Sequence, residues 1–349
     1  MAQQTIRLGV AGAGLAVRDL HWPALQKLGN RYSIVALAAR TQKSLEETGQ
    51  LVGCDNYYHD YKEMIDREKE NIDAVLVSLP IAMLYEAAEY AARAGLDVLC
   101  EKPSGQNLEE GEKFRRLAGE TGVSIQILEN FRYRDDLRRA REMIDEGLIG
   151  DLYMIRLWSV SHSEPEQGGF AGTEWRQEGD YRGGPLLDSG VHHMAAFHVL
   201  AGPARQISGA VASASDLYEG VDNALFTLRF ESGVIGNYTF SYTAFQNEDE
   251  ATFFEAHCYG TEGTLIITDG QIRHITKEGE QEPQAFPDFD NGYSNEFLDF
   301  YQHKTEGTPL RVTPEESFQD LHLVLSGLDA AREGRVLDIN PQAHHGGEG

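Results

Sequence analysis

Disulfide bonding, zinc binding and membrane insertion are all poorly provided for in this sequence. Its 349 residues hold only three cysteines, Cys54, Cys100 and Cys258, far apart and odd in number. They make no closely spaced pair, which argues against a disulfide framework or a cysteine zinc site and fits a reducing compartment. No stretch approaches the roughly 20 apolar residues of a membrane span. The first residues run straight into a strand-like segment, without the basic and apolar regions of a secretory signal. A cytoplasmic location is therefore expected, with no membrane partner. Lysine is scarce, 8 against 22 arginines, and together they face 56 acidic residues for a formal net charge of −26. A nucleic-acid binder needs the opposite sign, so nucleic acid is not an expected partner.

What is present suits a globular protein of two domains, given the length and an apolar fraction of 41%. Short apolar runs at 6–11, 34–39, 74–79, 98–100 and 124–128 alternate with helical spacing at 22–28, 44–52, 83–94 and 108–118. Buried strands alternating with helices predict a doubly wound parallel sheet. Beyond Leu128 the rhythm changes. A helix is expected at 135–146, then strands at 152–161, 207–214, 224–230, 234–242, 252–259 and 264–268, separated by turns such as Glu231-Ser232-Gly233. Further helices are expected at 187–200, 295–303 and 314–331. This pattern predicts antiparallel hairpins or a meander with helices on one face. The domain boundaries expected are 1–128 and 129–340, with a polar, Gly-rich tail at 341–349 that is disordered rather than a metal site despite His344 and His345.

The first strand ends in Gly12-Ala13-Gly14-Leu15-Ala16-Val17. Glycines here permit a tight turn and let the backbone approach a pyrophosphate resting on the next helix N-terminus. The third glycine of a dinucleotide fingerprint is missing, and small Ala16 or Val17 takes its place. After the second strand the chain reads Ala39-Arg40-Thr41 rather than presenting an acid for the ribose 2′-hydroxyl. That composition suits a 2′-phosphate and favours NADP. Should Arg40 only stack on the adenine, either NADP or NAD would be accepted. Glu101 and Lys102 stand at the C-terminal end of a parallel strand, where such sheets bind ligands, and Lys102 suits steering of a substrate hydroxyl. Asp188 and His192, four residues apart, share a helix face. An imidazole can exchange a proton with a hydroxyl while hydride leaves its carbon, with the carboxylate orienting ring or substrate. His193 and His198 read as structural. No metal is expected, because Asp188, His192 and His193 lack a further ligand cluster.

Taken in order, these segments resemble the glucose–fructose oxidoreductase/inositol dehydrogenase/rhizopine-catabolism (Gfo/Idh/MocA) family. The resemblance runs through the glycine turn followed by His21-Trp22-Pro23-Ala24, the triplet Glu101-Lys102-Pro103, and Glu129-Asn130-Phe131-Arg132-Tyr133. It continues in Glu174-Trp175-Arg176, in the segment from Gly183 to His192, and in the ending 314–339. It implies a Rossmann domain joined to an α+β domain with a large open-faced, mostly antiparallel sheet, often used to form a homodimer or homotetramer. It implies a catalytic group of Lys102, Asp188 and His192. Cofactor contacts are then expected at Gly12, Ala13, Gly14, Leu15, Ala16, Arg40, Thr41, Leu79, Pro80, Glu101, Lys102 and Asn130, and substrate contacts at Arg132, Tyr133, Trp175 and Arg176. One departure stands out: apolar Ile81 and Leu84 replace polar residues common near the cofactor. The implied reaction is hydride transfer between NADP or NAD and a sugar, cyclitol or related polyol. The same family includes redox-assisted glycosidases and non-catalytic sensors. Retention of Lys102, Asp188 and His192 argues against a sensor, and nothing in the sequence separates dehydrogenase from glycosidase.

Overall fold

The computed structural model describes residues 4–163, 169–178, 181–216, 218–245 and 252–339. The expected tail, with His344 and His345, lies outside them. Chain packing divides the protein into two units, one of residues up to Asn130 with Gly292–Phe318, the other of Phe131–Asn291 with the residues from Gln319 on.

In the first unit six strands form one sheet: β1 (Ile6–Ala11), β2 (Tyr32–Ala38), β3 (Tyr57–Tyr58), β4 (Ala74–Val77), β5 (Asp97–Glu101) and β6 (Ile125–Leu128). Their order is β3-β2-β1-β4-β5-β6 and every pairing is parallel. A wholly parallel sheet needs cover on both faces, which is why β4 and β6 are apolar or buried at every position. The helices between the strands are α1 (Trp22–Lys27), α2 (Gln42–Val52), α3 (Tyr61–Glu68), α4 (Ile81–Arg93) and α5 (Leu108–Thr121). Side chains of Thr41, Asp60 and Asn107 cap α2, α3 and α5 by accepting from first-turn amides. The five expected strands are all present. β3 and α3 were not foreseen: β3 has two residues, and α3 buries only Met64 and Ile65 among polar neighbours.

The second unit holds α6 (Asp135–Asp145), β7 (Leu152–Val160), α7 (Glu174–Glu178), α8 (Pro185–Ala201), β8 (Ala204–Ala212), β9 (Asn223–Phe230), β10 (Ile235–Ser241), β11 (Thr252–Gly260), β12 (Gly263–Thr268), β13 (Gln271–Thr276), β14 (Gly279–Glu280) and β15 (Gln284–Ala285). With β16 (Leu337–Asp338) these strands build a ten-stranded sheet in which β14-β13-β12-β11-β7-β10-β9-β8-β16 run side by side and β15 pairs with β13. The sheet is mixed rather than a pure meander, because β7 and β10 run parallel at its centre. Residues along β9 alternate between exposed and buried. α8 packs on one face, and Tyr153, Leu225, Ile235 and Phe253 lie exposed.

Two further helices, α9 (Tyr293–Glu306) and α10 (Pro314–Glu333), follow. The sequence expectation left 292–318 in the second domain, whereas this segment packs into the first unit. Phe297, Phe300 and Tyr301 of α9 join Ile6, Leu8, Leu25 and Tyr32 in one core. The Tyr32 hydroxyl donates to the Phe297 carbonyl at 2.6 Å, and the Ile127 amide to the Val312 carbonyl at 3.1 Å.

Candidate active site

β1 and β4 flank the point where strand order reverses, the ligand-binding position of doubly wound sheets. The chain leaves β1 through Gly12, at φ 105°, whose amide donates to the Ala38 carbonyl at 2.9 Å. A Cβ at this position would collide with the carbonyl oxygen of Ser78, just past β4. Gly12 is thus required by the turn itself. Gly14 differs: a Cβ there would meet nothing within 4 Å. Ala13 is buried and its carbonyl accepts from the Thr48 hydroxyl at 3.0 Å, whereas Gly14, Leu15 and Ala16 are partly exposed. From Leu15 the chain is helical, through a π turn at Val17–His21 into α1. A pinned turn, an open glycine and a helix start are what a pyrophosphate needs, so the residues fit a dinucleotide.

Arg40 lies exposed after β2. Thr41 is occupied locally, accepting from the Ser44 amide at 3.2 Å and donating to the Ser44 hydroxyl at 2.8 Å as the α2 cap. Leu79 and Pro80 stand partly exposed before α4. Ile81 and Leu84 are buried core residues of α4, which accounts for their apolar character.

At the end of β5, Glu101 accepts from the Lys102 amide at 3.2 Å. The other Glu101 oxygen lies 2.7 Å from Nε2 of His21, a fully buried residue of the π turn. Phe297 and Tyr293 of α9 pack edge-on against that imidazole. The sequence motif around His21 assigns it no role. Its sequence signal is a histidine shortly after the glycine turn. This close approach of ring and carboxylate sets the helix that begins at the glycine turn beside the strand end carrying Lys102. Asn130 is buried at the start of the short turn Asn130–Tyr133.

In the second unit, α8 begins at Gly184, at φ 52°, followed by Pro185, and turns Asp188 and His192 to neighbouring positions on one helix face. Arg176 Nε donates to Asp188 Oδ2 at 2.7 Å, and the guanidinium lies 4.1 Å over the Trp175 ring. Trp175 in turn packs on Tyr181. The structure therefore brings Trp175, Arg176 and Asp188 together. Burial, with the Asp188 charge second, pushes the Tyr181 phenol up. The same burial raises Tyr242, bonded to the Ser189 hydroxyl, to about 12. His192 stacks on Phe131, ring centroids 5.0 Å apart. His193 bonds to the buried Tyr238 hydroxyl at 2.7 Å and His198 to Asp320 at 2.6 Å. Arg132 is bound by Asp320 through two hydrogen bonds, and Tyr133 is buried. Among the described residues no group of three or more His, Cys, Asp or Glu side chains could hold a metal ion. No helix among them is long and apolar enough to cross a membrane.

Residues 6–128 match the model of the oxidoreductase family with an NAD-binding Rossmann fold, and residues 137–266 that of the GFO/IDH/MocA C-terminal domain. The crystal structure of an oxidoreductase from Thermotoga maritima is 32% identical, covers 96% of this chain and 98% of its own, and superposes with a TM-score of 0.86. The 1,5-anhydro-D-fructose reductase of Ensifer adhaerens is 30% identical over 278 residues, 77% of this chain and 80% of that protein. A dTDP-3,4-didehydro-2,6-dideoxy-alpha-D-glucose 3-reductase of Actinomadura kijaniata is 29% identical over 94% of this chain and 95% of its own. The two matched domains and these relatives agree with the glycine turn and the two-sheet architecture: the chain belongs to the Gfo/Idh/MocA family and is an NAD(P)-dependent oxidoreductase acting on CH–OH groups.

Proposed function

We propose that the enzyme interconverts a secondary alcohol and a ketone on a sugar, cyclitol or related polyol, with NADP preferred over NAD. The nicotinamide, when bound, supplies the hydride acceptor or donor. Gly12–Ala16 would hold the pyrophosphate, with Leu79, Pro80, Glu101 and Asn130 lining the rest of the cofactor site. Arg40, exposed and with no acid beside it in sequence, would pair with the 2′-phosphate; Thr41, busy as a helix cap, would contribute through its backbone.

For the chemistry, His192 takes the substrate hydroxyl proton in oxidation and returns it in reduction. Lys102 would position that hydroxyl and favour its alkoxide-like form. Asp188, braced by Arg176, orients the substrate, and the Trp175 ring offers an apolar face to a sugar ring. Tyr133 and Arg132 would shape the same side from behind. The enzyme would work in the cytoplasm as a homodimer or homotetramer joined through the open sheet face, where Leu225 and Phe253 are exposed.

The observation carrying this reading is the pinned Gly12 beside the open Gly14 at the point where the first sheet reverses order. The test is a panel of 1,5-anhydro-D-fructose, myo-inositol, scyllo-inositol and dihydrodiols, each assayed with both cofactors. Net change in reduced cofactor marks a dehydrogenase, and hydrolysis without net change would mark a redox-assisted glycosidase. Arg40→Ala should weaken NADP selectively. Equal weakening of both cofactors would assign Arg40 to adenine stacking instead.

A further inference from the structure

Behind His192 lies a cluster that the reading above leaves without a task. Arg134 is fully buried and carries a planar, five-donor guanidinium that must be satisfied there. Its Nε and Nη2 donate to the two oxygens of Asp136 at 3.0 and 2.6 Å, and Nη1 lies 3.1 Å from Asp269. Asp136 also accepts from the Gly270 amide at 3.1 Å, tying the cluster to the turn between β12 and β13. The guanidinium carbon sits 4.6 Å over Phe131, 4.3 Å over Phe254 and 5.0 Å over Phe289. Phe254 meets Phe131 edge-on, with centroids 5.3 Å apart and planes at 85°. Phe131 then stacks on the His192 imidazole at 5.0 Å with planes 24° apart.

A buried ion cluster contributes little net stability compared with a packed apolar core of the same volume. What it supplies is direction, since a bidentate guanidinium has one orientation and so do the rings packed upon it. We propose that Phe131 is a positioning residue for His192: its ring, held in one plane by Arg134 and Phe254, is the platform that fixes the imidazole for proton transfer. An imidazole turned away from this plane would be out of line with the hydroxyl it serves. Misplacement of a reacting group by about 1 Å can cost up to about 100-fold in rate. The inference rests on His192 being the proton-transfer group.

Two measurements test it on the full-length protein. In spectra of protein labelled with carbon-13 histidine, the His192 signals are identified by their loss in His192→Asn. The stacked geometry requires its ring protons to resonate upfield of an unstacked histidine, and an unshifted signal would overturn the proposal even if no Phe131 variant folds. Phe131→Leu should then move those signals downfield and lower kcat about tenfold, with KM and NADP affinity unchanged within about twofold. The assay substrate is whichever member of the panel above turns over fastest. Phe131→Tyr, which keeps the ring, should restore both. Full kcat in Phe131→Leu together with an inactive His192→Asn would refute the platform and leave the function reading standing. A fully active His192→Asn would remove the basis of both.

Discussion

Arg132 and Asp320 are 188 positions apart in sequence and form a two-bond fork, Nε to Oδ2 at 2.8 Å and Nη2 to Oδ1 at 2.7 Å. His198 adds a third contact, Nδ1 to Oδ1 at 2.6 Å, and Asp320 is 1% exposed. Burial alone would push the Asp320 carboxyl up. The Arg132 charge and the His198 hydrogen bond outweigh it and hold the carboxyl below the ordinary carboxylate range. A lowered folded-state value means that the stabilisation is complete above the unfolded pKa of about 4 and is lost as pH falls through the folded one. Asp320→Asn should cost about 3–5 kcal/mol near neutral pH, because it leaves a nearly buried guanidinium short of its counter-charge. Urea unfolding of both proteins from neutral to strongly acid pH checks this, and the gap between them should close only at the acid end. A constant gap at all pH values would mean that lost packing, not charge, is the cost.

α9 offers a second test. Phe297 is fully buried in the core of the first unit, and its backbone carbonyl takes the Tyr32 hydroxyl. Phe297→Ala should therefore destabilise the dinucleotide-binding unit by about 3–5 kcal/mol. Bound NADP should recover part of the loss in a thermal melt, since a ligand of the native state stabilises by mass action. Indifference of the melt to this substitution would detach 292–318 from that unit.

That segment also marks where the sequence stopped being legible. The elements of the first sheet could be read because β1, β4 and β5 are short apolar runs, and the Gly12 turn has one steric cause. The return of Phe297 to Tyr32 spans 265 positions, and nothing local in either residue announces its partner. The parallel pairing of β7 with β10 hides for the same reason, since adjacent strand-like runs suggest hairpins. In the candidate site, Asp188 and His192 were visible from a four-residue spacing on one helix. The Arg176 brace on Asp188 and the Phe131 stack on His192 were not, because each depends on tertiary contact rather than periodicity.

The Arg176 brace makes a third prediction. Its guanidinium both bonds Asp188 and lies flat on Trp175, and an ammonium cannot do both. Arg176→Lys should keep the charge but lower turnover roughly tenfold, equivalent to about 1.4 kcal/mol of lost transition-state orientation. Tyr242 near the same carboxylate holds its proton up to about 12. Any alkaline limb in the pH–rate profile well below that must belong to another group, so Tyr242→Phe should leave the limb in place. A limb displaced by Tyr242→Phe would make this phenol a participant in proton transfer.

The two glycines of the β1 turn should fail in different ways when changed to alanine. Gly12 has a backbone angle that side chains resist, at φ 105°, and its missing Cβ points into the Ser78 carbonyl. Gly12→Ala must therefore move the turn or the end of β4, at a cost of about 1–3 kcal/mol for the strained backbone before steric repulsion is counted. Melting temperature and affinity for both cofactors should fall together. Gly14 carries no such burden, for the space where its Cβ would stand is open. Gly14→Ala should leave the melting temperature of the free protein unchanged. If that open space is where the pyrophosphate approaches the backbone, the added methyl group blocks it, and NADP and NAD should both bind at least tenfold more weakly, about 1.4 kcal/mol or more. Calorimetric titration beside thermal unfolding separates the cases. Unaltered affinity in Gly14→Ala would move the pyrophosphate away from this turn, and with it the cofactor placement on which the proposed chemistry depends.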